Sequence, residues 1–375
     1  MHCRCKSAKG MILIKSLGVS YAAISTLIIL FATSTSSVWA GDFLIFPSIT
    51  SVHQSQQDTE LTGKEFVPAA DFFYTNDFNQ TRFLAEFLKS SQEAELERIQ
   101  VGWGIMAGKT AWIGRFHNPL SFWNTLMHHG EFLQTSLSRP SISNYEDEHG
   151  PLPAHITGFM LESSRTAGDS EINYTADLGV GPTFDTTLQP FDLLDPHDPG
   201  KLAGSFRLGY HPEAGNPNQY GVAIGYAKIP FTNTVTDPVS NLLVDEVQQA
   251  LLSAFLNIES DRFHLIGELF IFDNLVSGTD NSTKYTTVSG YLQAEYRVGE
   301  SGRTTLYGRI ESTPDAAKDG YLSLLPEFSP HQGVVGIRYD LTPKQALKLE
   351  AGKTTRQDSL EFNSISAQWS MVLPL

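Results

Sequence analysis

The chain is organised by a period of two. In "TVSGYLQAEYRV", Val288, Gly290, Leu292, Ala294, Tyr296 and Val298 share one face, and Ser289, Tyr291, Gln293, Glu295 and Arg297 share the other. In "GVVGIRYDL", Val335, Ile337, Tyr339 and Leu341 oppose Val334, Gly336, Arg338 and Asp340. The closing stretch "SISAQWSMVLPL" puts Ile365, Ala367, Trp369, Met371, Leu373 and Leu375 on one side, against Ser364, Ser366, Gln368 and Ser370. Alternation of this kind is the signature of a strand with one apolar and one polar face. Further strands are expected at 66–74, 82–89, 96–107, 109–117, 131–138, 154–163, 171–180, 202–211, 219–228, 263–272, 304–311 and 347–352. Residues 241–259 mix helical and alternating signals, and a short helix or turn followed by a long strand is expected there. Short connectors such as "GES" and "LTPK" contrast with long ones around 139–153 and 181–200.

A soluble sandwich and a membrane barrel both alternate. Aromatics near strand ends on the apolar faces (Trp103, Trp112, Phe116, Tyr339 and Trp369) suit the headgroup level of a bilayer, and the opposing Arg, Glu, Gln, Ser and Gly suit a wet interior. The fold class is therefore all-β: a transmembrane antiparallel β-barrel of 14–16 strands over residues 64–375, preceded by an irregular arm or plug at 41–63. Mean hydropathy of −0.16 fits such a barrel, whose two faces cancel.

Residues 1–40 differ. They carry Arg4, Lys6, Lys9 and Lys15 and no acid, then an uncharged stretch containing "LIILFA", and end "SVWA". That is the layout of an N-terminal signal peptide. Both cysteines, Cys3 and Cys5, lie within it, so no disulfide organises the remainder. Without this segment, 22 Lys and Arg face 41 Asp and Glu, a formal charge of −19 that argues against a nucleic-acid partner.

On the polar faces fall Arg98, Arg115, Arg207, Arg297, Arg309 and Arg338, with Glu86, Glu268, Glu295 and Glu311. Rings of both signs filter solutes by charge and size, so these are expected pore-lining residues, some of which only pair to hold the wall. The stretch 118–130 is expected to fold inward as a constriction, with His117, Asn118, Trp123, His128 and His129 as its named members. His149, His155, Glu131, Glu146, Asp147 and Glu148 lie nearby, but no spacing matches a metal pattern, so neither metal nor cofactor is expected. Asp192, Asp195 and Asp198 are taken as a plain acidic loop rather than a calcium site. There is no G-x-S-x-G or H-E-x-x-H, and His129 with Ser136 or Ser138 is the sole catalytic pairing considered; no enzyme activity is expected.

The segment "AWIGRFHNPLSFWN", 111–124, resembles the strand, Gly-Arg, aromatic, Pro segment of proteobacterial porins, nearest to the phosphate-selective and related substrate-specific porins. The terminal strand also resembles that of Gram-negative outer-membrane barrels, although those usually end on Phe and this chain ends on Leu375. The resemblance implies an outer-membrane porin-like channel for passive diffusion of small hydrophilic solutes or ions, embedded in outer-membrane lipid, with homotrimers common. Porins of this group commonly line the lumen with basic residues, whereas this chain is acidic and its loop His-rich, which leaves phosphate selectivity unsupported. Two alternatives remain open: an outer-membrane barrel enzyme, and a closed barrel acting as receptor, adhesin or structural protein.

Overall fold

A computed structural model describes residues 41–55, 64–91, 94–127, 130–146, 149–195, 197–279 and 281–375. Sixteen long strands form one antiparallel sheet. The first five are β1 (Asp42–Gln54), β2 (Lys64–Phe78), β3 (Thr81–Ser90), β4 (Ala94–Met106) and β5 (Lys109–His117). After the longest connector come β6 (His155–Ala167), β7 (Ser170–Val180), β8 (Leu202–His211), β9 (Gln219–Thr236), β10 (Leu243–Glu259) and β11 (Phe263–Ser277). The wall ends with β12 (Ser282–Val298), β13 (Thr304–Ser312), β14 (His331–Thr342), β15 (Gln345–Thr355) and β16 (Glu361–Met371).

Each strand pairs with its neighbour in sequence, and β1 closes the cylinder by pairing with both β2 and β16. The seam runs from Gln54 opposite Ser364 to Ser48 opposite Ser370, and continues at Leu44 opposite Pro374. The amide of Leu375 donates to the Phe43 carbonyl at 2.9 Å, so the chain end lies within the seam. A closed sheet leaves no backbone edge unpaired, which is the condition for crossing hydrocarbon with strands.

The alternation of the sequence becomes inside against outside. On β16, Ile365 is 64% exposed while Ser366, Gln368 and Ser370 are buried. Phe159, Leu269, Leu292, Ile310, Val335 and Leu349 are exposed on other strands, forming an apolar outer belt around the wall. Exposed apolar area of this extent on a closed barrel is a lipid-facing surface.

Three expectations are corrected. Residues 41–63 are not all an irregular arm, because 42–54 form β1. The stretch "LIFP" is apolar at consecutive positions: Leu44 and Phe46 pack inward with Phe73 and Phe132, while Ile49 is exposed, so both faces are greasy and the period is hidden. Residues 131–138 are not a strand but part of the connector between β5 and β6. Trp112 and Phe116 do not face lipid; both are buried, and the Trp112 indole N–H donates to Glu162 at 2.7 Å. Apart from these three, the mixed signal at 241–259 resolves as the long strand expected there, running over 243–259.

The three longest described connectors, 118–154, 181–201 and 313–330, follow the odd-numbered strands β5, β7 and β13 and so leave the same rim. The opposite rim carries tight turns such as those at Gly108 (φ 68°) and Gly168 (φ 65°), where a left-handed backbone favours glycine. This asymmetry is typical of outer-membrane barrels, with short turns on the periplasmic side.

The outward position of Leu349 generates a test. Leu349→Arg is expected to lower unfolding stability in lipid vesicles by about 2–4 kcal/mol if it lies near mid-membrane, and Leu349→Phe to change it little. Equal denaturation midpoints for the two variants would remove Leu349 from the lipid face.

Candidate functional site

The connector 118–154 turns into the barrel and is held there by charged side chains of the inner wall. Its first element is a short helix, α1 (Phe122–Leu126), capped by Ser121, whose Oγ accepts from the Asn124 amide at 3.4 Å. Helix N-termini leave amide donors without intrahelical partners. Here Glu268 of β11 supplies the acceptor: Phe122 N donates to Oε1 at 2.5 Å, and Trp123 N to Oε2 at 3.3 Å. The Ser121 hydroxyl donates to Oε2 at 2.9 Å and the Tyr291 phenol at 2.7 Å, so this buried carboxylate is held by four donors. A second short helix, α2 (Gly130–Leu133), follows.

Residues 134–140 lie in neither helix nor strand, and the backbone groups of this part of the connector pair with wall side chains instead of a neighbouring strand. Glu350 accepts from Leu137 N at 3.0 Å and Ser138 N at 3.3 Å, and Glu311 from Ser141 N at 2.6 Å. Arg338 donates to the carbonyls of Phe132 (2.7 Å) and Gln134 (2.9 Å). Lys348 donates to the carbonyl of Ser136 at 3.2 Å and to that of Glu131. Arg309, almost wholly buried, donates to the carbonyls of Ser138 (2.8 Å) and Arg139 (3.0 Å), to Ser138 Oγ (2.8 Å) and to Gln332 (3.3 Å). Charge-assisted hydrogen bonds are the stronger kind, and a buried charge is tolerated only when its hydrogen bonds are satisfied in this way.

The remaining expected lining residues are distributed differently. Arg98 pairs with Glu86 at 2.6 Å, and Arg115 with Glu95 at 2.7 Å, both pairs buried or nearly so. The Arg207 guanidinium lies 4.4 Å from the Phe255 ring centroid and 5.4 Å from that of Phe122, a cation–π arrangement under α1. Glu295 accepts from Thr135 Oγ1 at 2.9 Å and faces His264 Nδ1 at 3.1 Å. Arg297 pairs with Glu259 in a more exposed position at the end of β12. Asn118 and Trp123 are buried; the Asn118 side chain accepts from Leu120 N at 3.2 Å. His128 and His129 lie outside the described residues, as do Asp147 and Glu148.

The interior is not uniformly polar. Ile266, Phe270, Phe272 and Val276, which blur the polar side of β11 in sequence, are buried with Phe116, Leu120, Phe122, Trp123, Ile142 and Leu152 of the β5 end and connector. Tyr321, Leu322, Leu325 and Phe328 from the 313–330 connector join the same cluster, and Tyr321 OH donates to the Pro151 carbonyl at 2.9 Å. The wall therefore presents apolar side chains where connectors cover it.

His117 and His155, the residues immediately flanking the connector, meet Glu97 of β4. His155 Nε2 lies 3.0 Å from Glu97 Oε2, and His117 Nε2 lies 3.6 Å from the same oxygen. The other nitrogen of His155 faces Glu146 at 2.9 Å, and Glu146 also accepts from the amides of Ala154 (2.7 Å) and His155 (2.8 Å). Burial works against ionisation of Glu146, but the His155 ring and its amide hold the carboxyl below its ordinary range. Sequence spacing missed this group because Glu97 comes from another strand.

Elsewhere, Asp192, Asp195 and Asp198 accept from amides of their own loop, at Leu194, His197 and Gly200, which is turn chemistry. Ser136 Oγ donates to the Ser138 carbonyl, and Ser138 Oγ is engaged by Arg309, so neither hydroxyl is arranged as a nucleophile beside a described histidine.

No protein-family model matches the sequence, and no curated protein is significantly similar to it. Among solved structures, the chain is similar to OmpT, an outer-membrane protein of Vibrio cholerae, in its loop L8 deletion mutant (TM-score 0.54, 8% identity, 90% of this chain and 100% of that chain). The trimer form of in-vitro folded OmpT is comparable (TM-score 0.53, 9% identity, 90% and 100%). The outer-membrane channel DcaP of Acinetobacter baumannii also aligns (TM-score 0.53, 7% identity, 89% and 97%).

Arg309→Met is expected to cost about 3–5 kcal/mol, because it leaves buried connector carbonyls without a donor and Glu311 without its cationic partner. Amide exchange across 135–141 should rise in the variant while the wall strands stay protected. Unchanged protection there would mean that Arg309 does not hold the connector. With its closed 16-stranded wall, apolar outer belt and solved neighbours of the same architecture, the chain has the fold of Gram-negative outer-membrane β-barrels.

Proposed function

We propose that the protein is a porin-like channel for passive passage of small hydrophilic solutes or ions, narrowed by the connector 118–154. The observation that carries this reading is the attachment of the connector to the inner wall through Glu268, Arg309, Glu311, Arg338, Lys348 and Glu350. A barrel that must admit solute selectively needs its largest loop fixed inside rather than free at the rim. The neighbour described as an outer-membrane channel supports the reading at the level of fold.

Arg98 with Glu86 and Arg115 with Glu95 lie on β3–β5, and Arg309 with Glu311 lies on β13, about half a turn of the wall away in strand order. We assign to these pairs the transverse field that selects solutes by charge, with Arg207, Arg297, Arg338, Glu268 and Glu295 as further lining or supporting groups. His117, Asn118, Trp123, His128 and His129 belong to the constriction in this proposal. A homotrimer is the proposed assembly, in keeping with the trimer form of the Vibrio neighbour. The proposed domain plan is a signal peptide at 1–40 followed by a barrel beginning at β1.

One observation favours a second reading, a closed barrel acting as a receptor, adhesin or structural protein: Phe122, Trp123, Phe255, Phe270 and Tyr321 fill part of the lumen with apolar surface. Planar-bilayer recording separates the two. The channel reading predicts stepwise conductance, and a larger step when 121–139 is replaced by a short Gly-Ser linker. Silent membranes from correctly folded protein would favour the closed barrel. Conductance unchanged by the replacement would place the solute path away from the connector.

A further inference from the structure

The geometry points to a divalent transition-metal site, of the Zn²⁺ class, formed by Glu97, His117 and His155 at the root of the inward connector. All three residues are buried, and one donor atom from each lies within 4.8 Å of the others. A tetrahedral ion with bonds of about 2.1 Å requires donors roughly 3.4 Å apart. The separations of 3.0 Å and 3.6 Å from Glu97 Oε2 bracket that value, and the two histidine donors lie within 4.8 Å of each other, so side-chain adjustment is needed to close the set.

Three further features point the same way. First, Glu97 is the extra residue of a β-bulge: Glu86 pairs with Arg98 and Phe87 with Leu96, leaving Glu97 without a partner across β3. A bulge re-aims a side chain, and here it turns Glu97 onto the two histidines. Second, Glu146 receives the Nδ1 side of His155, which leaves Nε2 as the atom directed at the cluster. A carboxylate behind a ligating histidine is the usual outer support of a metal site. Third, Glu97 Oε1 is buried and has no hydrogen-bond partner among the described residues. An ion held by both oxygens of the carboxylate would reach Oε1 as well, whereas a proton between His155 Nε2 and Oε2 does not.

The donor set decides the class of ion. Two imidazoles and one carboxylate suit Zn²⁺ and its neighbours, whereas Ca²⁺ and Mg²⁺ favour oxygen ligands throughout. Binding displaces the proton from His155 Nε2 into solvent, and the ion takes its place between the ring and Glu97. Because His117 ends β5 and His155 begins β6, a bound ion ties both ends of the connector to β4. The site requires the barrel but not conduction, so it stands or falls separately from the channel reading.

The test uses the full-length barrel folded in detergent, stripped with a chelator and titrated calorimetrically with Zn²⁺. One ion per chain and a higher unfolding temperature are expected. Glu97→Gln and His117→Gln should each weaken binding at least tenfold, and Glu146→Gln by about 10–100-fold. The double variant His128→Ala/His129→Ala should bind as the parent does. X-ray absorption of the zinc-loaded parent should show two imidazoles in a nitrogen/oxygen shell, a readout that holds even where a variant folds poorly. The proposal is overturned by any of four results: no saturable uptake, uptake unaffected by Glu97→Gln, uptake abolished in the His128/His129 variant, or a shell without imidazole scattering.

Discussion

Hydrocarbon offers no hydrogen-bond partner, so every backbone N–H and C=O that crosses it must be paired within the protein. The closure of β1 onto β16 meets this requirement, down to the amide of Leu375. The outer belt and the alternation of the terminal strand follow from it. Once the sheet is closed, each strand has one face in lipid and one inside, and the period of two is the record of that division.

The same accounting governs the interior. A connector folded into a barrel carries its own backbone polar groups away from bulk water, and no strand edge is available to pair with them. Side chains of β11 to β15 take that role: carboxylates at Glu268, Glu311 and Glu350 accept from amides, and cations at Arg309, Arg338 and Lys348 donate to carbonyls. Charge on the inner wall thus has a structural task as well as any role toward solute. That is why so many of these charged groups are buried beneath the connector rather than facing open water.

Much of this was legible in the sequence, and the failures have physical causes. The barrel and the lipid-facing residues of β12, β14 and β16 follow from alternation. β1 was hidden because Leu44 and Phe46 meet other apolar side chains inside, so its two faces do not differ in polarity. Residues 131–138 read as a strand in sequence, yet they finish a short helix and continue outside any strand, where side chains rather than a neighbouring backbone satisfy them. Trp112 and Phe116 were misassigned because aromatics suit either a headgroup belt or a packed interior, and only the register separates the two. The group around His155 was illegible because a bulge at Glu97 reverses the expected side of one residue, and periodicity carries no trace of that reversal.

The connector lies against the inner face of β13 and β14. Arg309 reaches both Ser138 Oγ (2.8 Å) and Gln332 Oε1 (3.3 Å), which places connector and wall side by side. Both cysteines of the chain lie in its first 40 residues, so the barrel itself provides a thiol-free background. The most direct measurement is cross-linking of Ser138→Cys with Gln332→Cys by a short bifunctional thiol reagent in outer membranes. Rapid intramolecular cross-linking is predicted; two freely reactive thiols that never join would contradict the placement of the connector inside the barrel.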